Sequence, residues 1–255
     1  MPESTLLKSM TDIKTEVADY CRFGRSSSVW STDQAARLTS YLTSGLHQFY
    51  FPPILPGESV SHPWSFLKPY TTLTTVADTY LYDMPDNFAF IEGLMVHDAA
   101  MLYRELKQVS PEKLLAMRAM ADISQVPQLF AIRPKSAGGV VSTKYEMLMY
   151  PTPDAAYLLN YQYALIPDAL SAEAPYPLGG PQHAETILES CLAIAEQRID
   201  DKIDIHQSLF MQKLQASVAI DRRVGASQWL GRNRNPARFE GFDYRRARTL
   251  TYVPG

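Results

Sequence analysis

The chain has 255 residues, 46% apolar and 20% charged, which suits a globular protein with ample core in one large domain or two small ones. No apolar run approaches the roughly 20 residues that span a bilayer, and two isolated cysteines, Cys21 and Cys191, do not make a disulfide framework. The formal net charge of −3 hides an asymmetry: from Arg222 onward there are eight arginines, no lysine and two acids, a net +6, which leaves −9 on the rest.

The opening "MPESTLLKSM" has no basic stretch followed by an apolar one, so no secretory signal is expected and synthesis is expected in the cytoplasm. Residues 9–23 place Met10, Ile13, Val17, Tyr20 and Cys21 on one stripe, the spacing of an amphipathic helix. "RSSSVW" reads as a polar loop. A second helix then opens with Ser31 and Gln34 at capping-box spacing and continues through Ala35, Leu38, Leu42, Leu46 and Phe49. "FPPILPGESVSHPW" ends it with prolines and a glycine.

After Trp64 the character changes. "FLKPYTTLTTV" and "TYLYDMP" are rich in Thr and Tyr, as strands are. Strand-like runs follow at about 88–97, 101–108, 128–133, 143–150 and 156–165, with "KSAGGVVS" as a hairpin or loop tip. A short helix, "SPEKLLAMRAMA", interrupts them, with Ser110 as cap and Pro111 at its first position. Its Met117 and Met120 are expected to fill a core or an interface. In 157–165, Tyr157, Leu159, Tyr161, Tyr163 and Leu165 share one face, and Leu158, Asn160, Gln162 and Ala164 share the other. One side should pack while the other stays wet or half-buried.

Helices return at "GGPQHAETILESCLAIAEQRIDDKI", with Ile187, Leu188, Cys191, Leu192, Ala195, Ile199 and Ile203 as the apolar stripe. Glu185, Glu189, Glu196 and Asp200 lie mostly off it. Another helix, about 206–223, carries Leu209, Phe210, Leu214 and Val218. Past Gly225 no period is sustained, and an extended arm is expected. The reading is α+β: a discontinuous helical bundle from 1–59 and 176–226, a β-rich insertion with a short helix at 60–175, and an extended C-terminal arm at 227–255.

Motifs for chemistry are lacking. Asp200, Asp201, Asp204 and His206 do not have the spacing of a calcium loop and read as a solvated helix end. His47, His62, His97 and His183 are scattered, each structural or exposed. No phosphate-binding glycine loop, dinucleotide fingerprint or nucleophile elbow occurs, and Ser44 and Gly45 of "TSGLH" fall inside a helix. No catalytic residue, metal or cofactor is expected. The arginine tail has three readings: an inert terminus, a nucleic-acid contact through phosphates, or a protein-docking arm. Trp229, Phe239, Phe242, Tyr244 and Tyr252 among its arginines favour docking, because Arg, Trp and Tyr dominate interface hot spots.

Three stretches together carry a resemblance: "YLYDMPDNFAFIEGLMV" (80–96), "LMYPTPDAAYLLNYQYALIPDAL" (148–170) and "PQHAETILESCLAIAEQRIDD" (181–201). Their order and spacing resemble tailed-phage head-to-tail adaptors, most closely the tail tubular protein A-like type. The resemblance implies a structural virion protein without catalysis, in that family usually a dodecameric ring below the portal. It implies a helical part on the portal protein, a β part facing a tail or nozzle protein, DNA passing transiently through the channel, and no membrane. The arm would then reach the portal, with Trp229, Arg238, Arg245, Arg246, Arg248 and Tyr252 as its anchors. The alternative is a nucleic-acid-binding protein that uses the same tail.

Overall fold

The structure, a computed structural model, describes residues 4–98, 105–137, 140–200 and 205–225. Five α-helices and a curled seven-stranded sheet make up these residues, a mixed α/β architecture.

Helices from both ends of the chain share one core. Helix α1 (Met10–Tyr20) opens on a capping box that the sequence reading missed. Ser9 accepts from the Asp12 amide, and the Asp12 carboxylate accepts from the Ser9 amide at 2.9 Å. Helix α2 (Thr32–Tyr50) has the predicted box at Ser31 and Gln34. Ile13 and Val17 of α1 meet Leu38, Leu42, Leu46 and Phe49 of α2 in this core. The expected stripe of α4 (Ala184–Asp200) joins them through Ile187, Leu188, Cys191, Leu192 and Ala195, and α5 (Ile205–Gly225) adds Phe210, Leu214 and Val218. Some expectations on α4 and α5 fail. Ile199 is 43% exposed, and Leu209 is only half-buried. More tellingly, Glu189 and Glu196, expected off the stripe, are buried because α5 supplies donors to them.

The strands are β1 (Tyr70–Thr74), β2 (Leu81–Asp83), β3 (Phe88–His97), β4 (Glu105–Gln108), β5 (Leu129–Ala137), β6 (Val140–Tyr150) and β7 (Leu158–Leu165). Their order across the sheet is β1-β7-β3-β4-β5-β6-β2, and every neighbour is antiparallel except β4 with β5. Strands β1 and β2 are consecutive in the chain yet stand at opposite ends of the sheet. Seven flat strands would hold their edges about 29 Å apart. The short link from Thr74 to Leu81 reaches at most about 25 Å when fully stretched, and the turn at Val76–Thr79 shortens it. The sheet therefore curls. Met95, Leu106, Phe130, Met147, Met149, Leu159, Tyr161 and Tyr163 fill its inside.

On the outside, α3 (Pro111–Met120) covers β5 and β6. Leu114 packs on Ala131, Leu148 and Tyr150, so these two strands are buried on both faces. Ser110 caps α3 and Pro111 stands in its first turn, as expected. Met117 packs against this cluster, but Met120 is 88% exposed and fills no core of this chain. "KSAGGVVS" joins β5 to β6 and is mostly strand up to its two glycines, which lie outside the described residues. The run expected at 101–108 is strand from Glu105 on, with 101–104 also outside them.

Candidate partner interface

Strand β7 shows how one stretch of chain can both pack and present a surface. Tyr157, Leu159, Tyr161 and Tyr163 turn inward and are buried, as the alternation predicted. Burial pushes the Tyr161 hydroxyl up to about 12, so it stays neutral. Ala164, on the other face, is also buried. Asn160 and Gln162 of that face are half-buried and Leu158 is 39% exposed.

The flanking strands complete this outer face. Tyr70 and Thr72 of β1 pair with Gln162 and Asn160, and Glu92 and Val96 of β3 stand opposite the same two residues. Tyr70 is 81% exposed and Phe90 56%. The Gln162 amide donates to the Lys68 carbonyl at 2.7 Å, and Lys68 pairs with Glu92 at 2.8 Å, which fixes the polar groups around the aromatic ones. Helix α3 lies over β5 and β6 instead and does not cover this face. Aromatic rings set among ordered amides and hydroxyls make a surface suited to protein recognition.

A smaller apolar cleft lies at the end of α2. Leu46, His47, Tyr50 and Phe51 form one wall, and Ile166, Pro167 and Asp168 form the other, around a space of about 100 Å³. It has room for a side chain rather than a cofactor. Phe51, Ile54 and Ile166 nearby are each about half-exposed.

The buried polar clusters hold elements together. Asp221 of α5 accepts from His62 Nε2 at 2.8 Å, from the Ser65 amide at 3.0 Å and from Ser65 Oγ at 2.6 Å. Ser, His and Asp meet here, but both donors point at the carboxylate, so no imidazole is placed to take a proton from Ser65. Glu189 of α4 receives His206 Nδ1 at 2.9 Å and Lys213 Nζ at 3.0 Å, and Glu196 accepts the His206 amide at 3.1 Å. His206, expected at a solvated helix end, is thus an engaged residue that joins α5 to α4. Both cysteines are free. Burial pushes the Cys191 thiol up to about 12 and the Cys21 thiol to about 11, so neither is a thiolate near neutral pH. Among the described residues no group of three or more His, Cys, Asp or Glu is placed to hold a metal ion, and no helix is long and apolar enough to cross a membrane.

The predicted arm anchors Trp229, Arg238, Arg245, Arg246, Arg248 and Tyr252 lie outside the described residues. The proline-flanked strand at 157–165 suggests from sequence alone a wet side that faces a neighbour, a tail protein or a channel, but not which strands widen it. Exposed aromatics at Tyr70 and Phe90 were visible as residues, but their union with Asn160 and Gln162 depends on β1 and β3 both flanking β7.

No curated protein matches the chain. A family model described as SU10 adaptor protein matches residues 8–237, which spans all five helices and the whole sheet. The chain belongs to the SU10 adaptor protein family, a family of phage head–tail adaptors, and is a structural protein of the virion.

Proposed function

We propose that copies of this chain close into a ring, dodecameric as is usual for tail tubular protein A-like adaptors, that joins the portal to the tail and forms part of the DNA channel. The family match over residues 8–237 carries this reading. The helices of 1–59 and 176–226 serve as a bundle against the portal, and the β-rich insertion of 60–175 turns toward the tail. A ring needs heterologous contacts that close by rotation, and the uncovered face of β1, β7 and β3 supplies one aromatic and polar surface for a neighbour or a tail protein. The arm of 227–255 docks on the portal. Its guanidinium forks pair with carboxylates, and its aromatics fill pockets at low entropic cost.

Deleting residues 240–255 tests the arm. The shortened protein is expected to keep its thermal midpoint and to lose most of its attachment to portal-bearing heads. Attachment equal to that of the intact protein would remove the arm as anchor. A protein that unfolds instead would show that the segment belongs to the fold. Salt-sensitive DNA binding that vanishes with residues 222–255 would favour the nucleic-acid reading.

A further inference from the structure

The chain passes between helices and sheet twice, through residues 51–69 and 166–183, and both crossings meet at one buried knot. Trp64 and Phe66 come from the first crossing, His183 from the second and Phe49 from α2. Trp64 lies 4.7 Å from Phe49, 5.3 Å from Phe66 and 5.3 Å from His183 between ring centroids, and its indole N–H donates to the Phe49 carbonyl at 2.9 Å. Gly179 lets the second crossing in closely. Its φ is +109°, and a Cβ there would sit 3.0 Å from the Phe66 ring and 3.1 Å from His183. The end of α5 is tied to the same place through Asp221, whose partner His62 stands edge-on to Trp64 at 5.0 Å.

His183 is the odd member of the knot. It is fully buried, and neither ring nitrogen has a hydrogen-bond partner among the described residues. Neutral imidazole is tolerated among aromatic rings. An imidazolium there would lack any acceptor, and ring faces offset only part of that cost. The titratable groups facing it are Asp221 of α5 and His62 of the first crossing.

We propose that this knot is an acid-labile latch: protonation of His183 loosens both crossings and the end of α5 together, while the core between the helices stays packed. The latch lies within one chain and needs no partner. Burial holds the His183 ring below its ordinary value of 6.5, against the pull of the Asp221 carboxylate. The open form therefore takes up the proton first. The latch is fully stable above pH 6.5 and weakens as the pH falls below it, until the depressed value of the closed form is passed. Burial alone would raise Asp221, but hydrogen bonds from Ser65 and His62 hold it below 3.8, so it remains charged down to about pH 5.

Hydrogen exchange of the full chain at about pH 7.5 and about pH 5, corrected for intrinsic exchange, tests the latch. Protection in residues 58–67, 176–183 and 218–225 is expected to fall severalfold at the lower pH while that of residues 38–49 holds. In His183→Gln and in His183→Phe, neither of which titrates, protection of these segments should no longer depend on pH. In His62→Gln the dependence should survive. Two variants keep the test readable if one fails to fold, and the wild-type imidazole titration followed by NMR gives a third reading. Overturning results are equal protection at both pH values in the wild type, a dependence that persists in both His183 variants, or one that vanishes only in His62→Gln.

Discussion

At Gly45 two residue-scale effects oppose each other. The residue lies within α2, where alanine is worth up to about 1 kcal/mol over glycine. A Cβ there would lie 2.6 Å from both Cα and Sγ of Cys191 and 2.8 Å from its backbone nitrogen. The backbone of α4 cannot swing aside as a flexible side chain would, and Ser190 further pins the approach by donating to the Gly45 carbonyl at 2.8 Å. Overpacking of this kind costs about 1–3 kcal/mol and outweighs the helix gain. Gly45→Ala is expected to lower the urea midpoint. An unchanged or raised midpoint would show that α2 and α4 separate without cost. The sequence placed Gly45 inside a helix, but the residue it must avoid stands on another helix far along the chain. The same distance hid the Asp221 cluster, whose partners His62 and Ser65 belong to a loop some 150 residues away.

Among the elements, α3 holds the double-sided part of the sheet in place. Leu114 is the buried residue of α3 and has no exposed surface. Leu114→Ala should cost about 2–5 kcal/mol as a core truncation, and Ser110→Ala about 1 kcal/mol as a lost cap. Denaturation midpoints check both, and a Leu114→Ala protein as stable as its parent would mean that α3 is not clamped on β5 and β6. Leu192→Ala is expected to cost about 2–5 kcal/mol in the helical core for the same reason. Elements with a local signature were legible. The β7 alternation, the cap at Ser31 and the stop after Phe51 each depend on neighbours in the chain. The burial of Glu189 was not legible, because periodicity along α4 knows nothing of Lys213 and His206 on α5. Nor was the parallel pairing of β4 with β5, which local patterns do not encode. Met120 stands on the exposed side of α3, where helical spacing from Met117 alone could not place it.

For the whole molecule, the order of helices, strands and helices was visible as a sequence of periods, and the curl of the sheet was not. The curl follows from β1 and β2 sitting at opposite ends of the strand order while a short link joins them. It turns the outer face of β1, β7 and β3 away from the interior and leaves Tyr70 and Phe90 exposed. A Tyr70→Ser, Phe90→Ser double variant should fold with a midpoint within about 0.5 kcal/mol of the parent, as exposed substitutions do, and should fail in assembly. Normal assembly would assign that face to no partner. The proposed ring is closed by copies of this adaptor upon the portal. Cryo-electron microscopy of the purified chain mixed with its phage's portal ring tests it most directly. The expected result is a closed ring of adaptor subunits seated beneath the portal, with density from residues 227–255 reaching the portal. A chain that leaves the portal bare, or binds it as scattered single copies without a ring, would contradict the account.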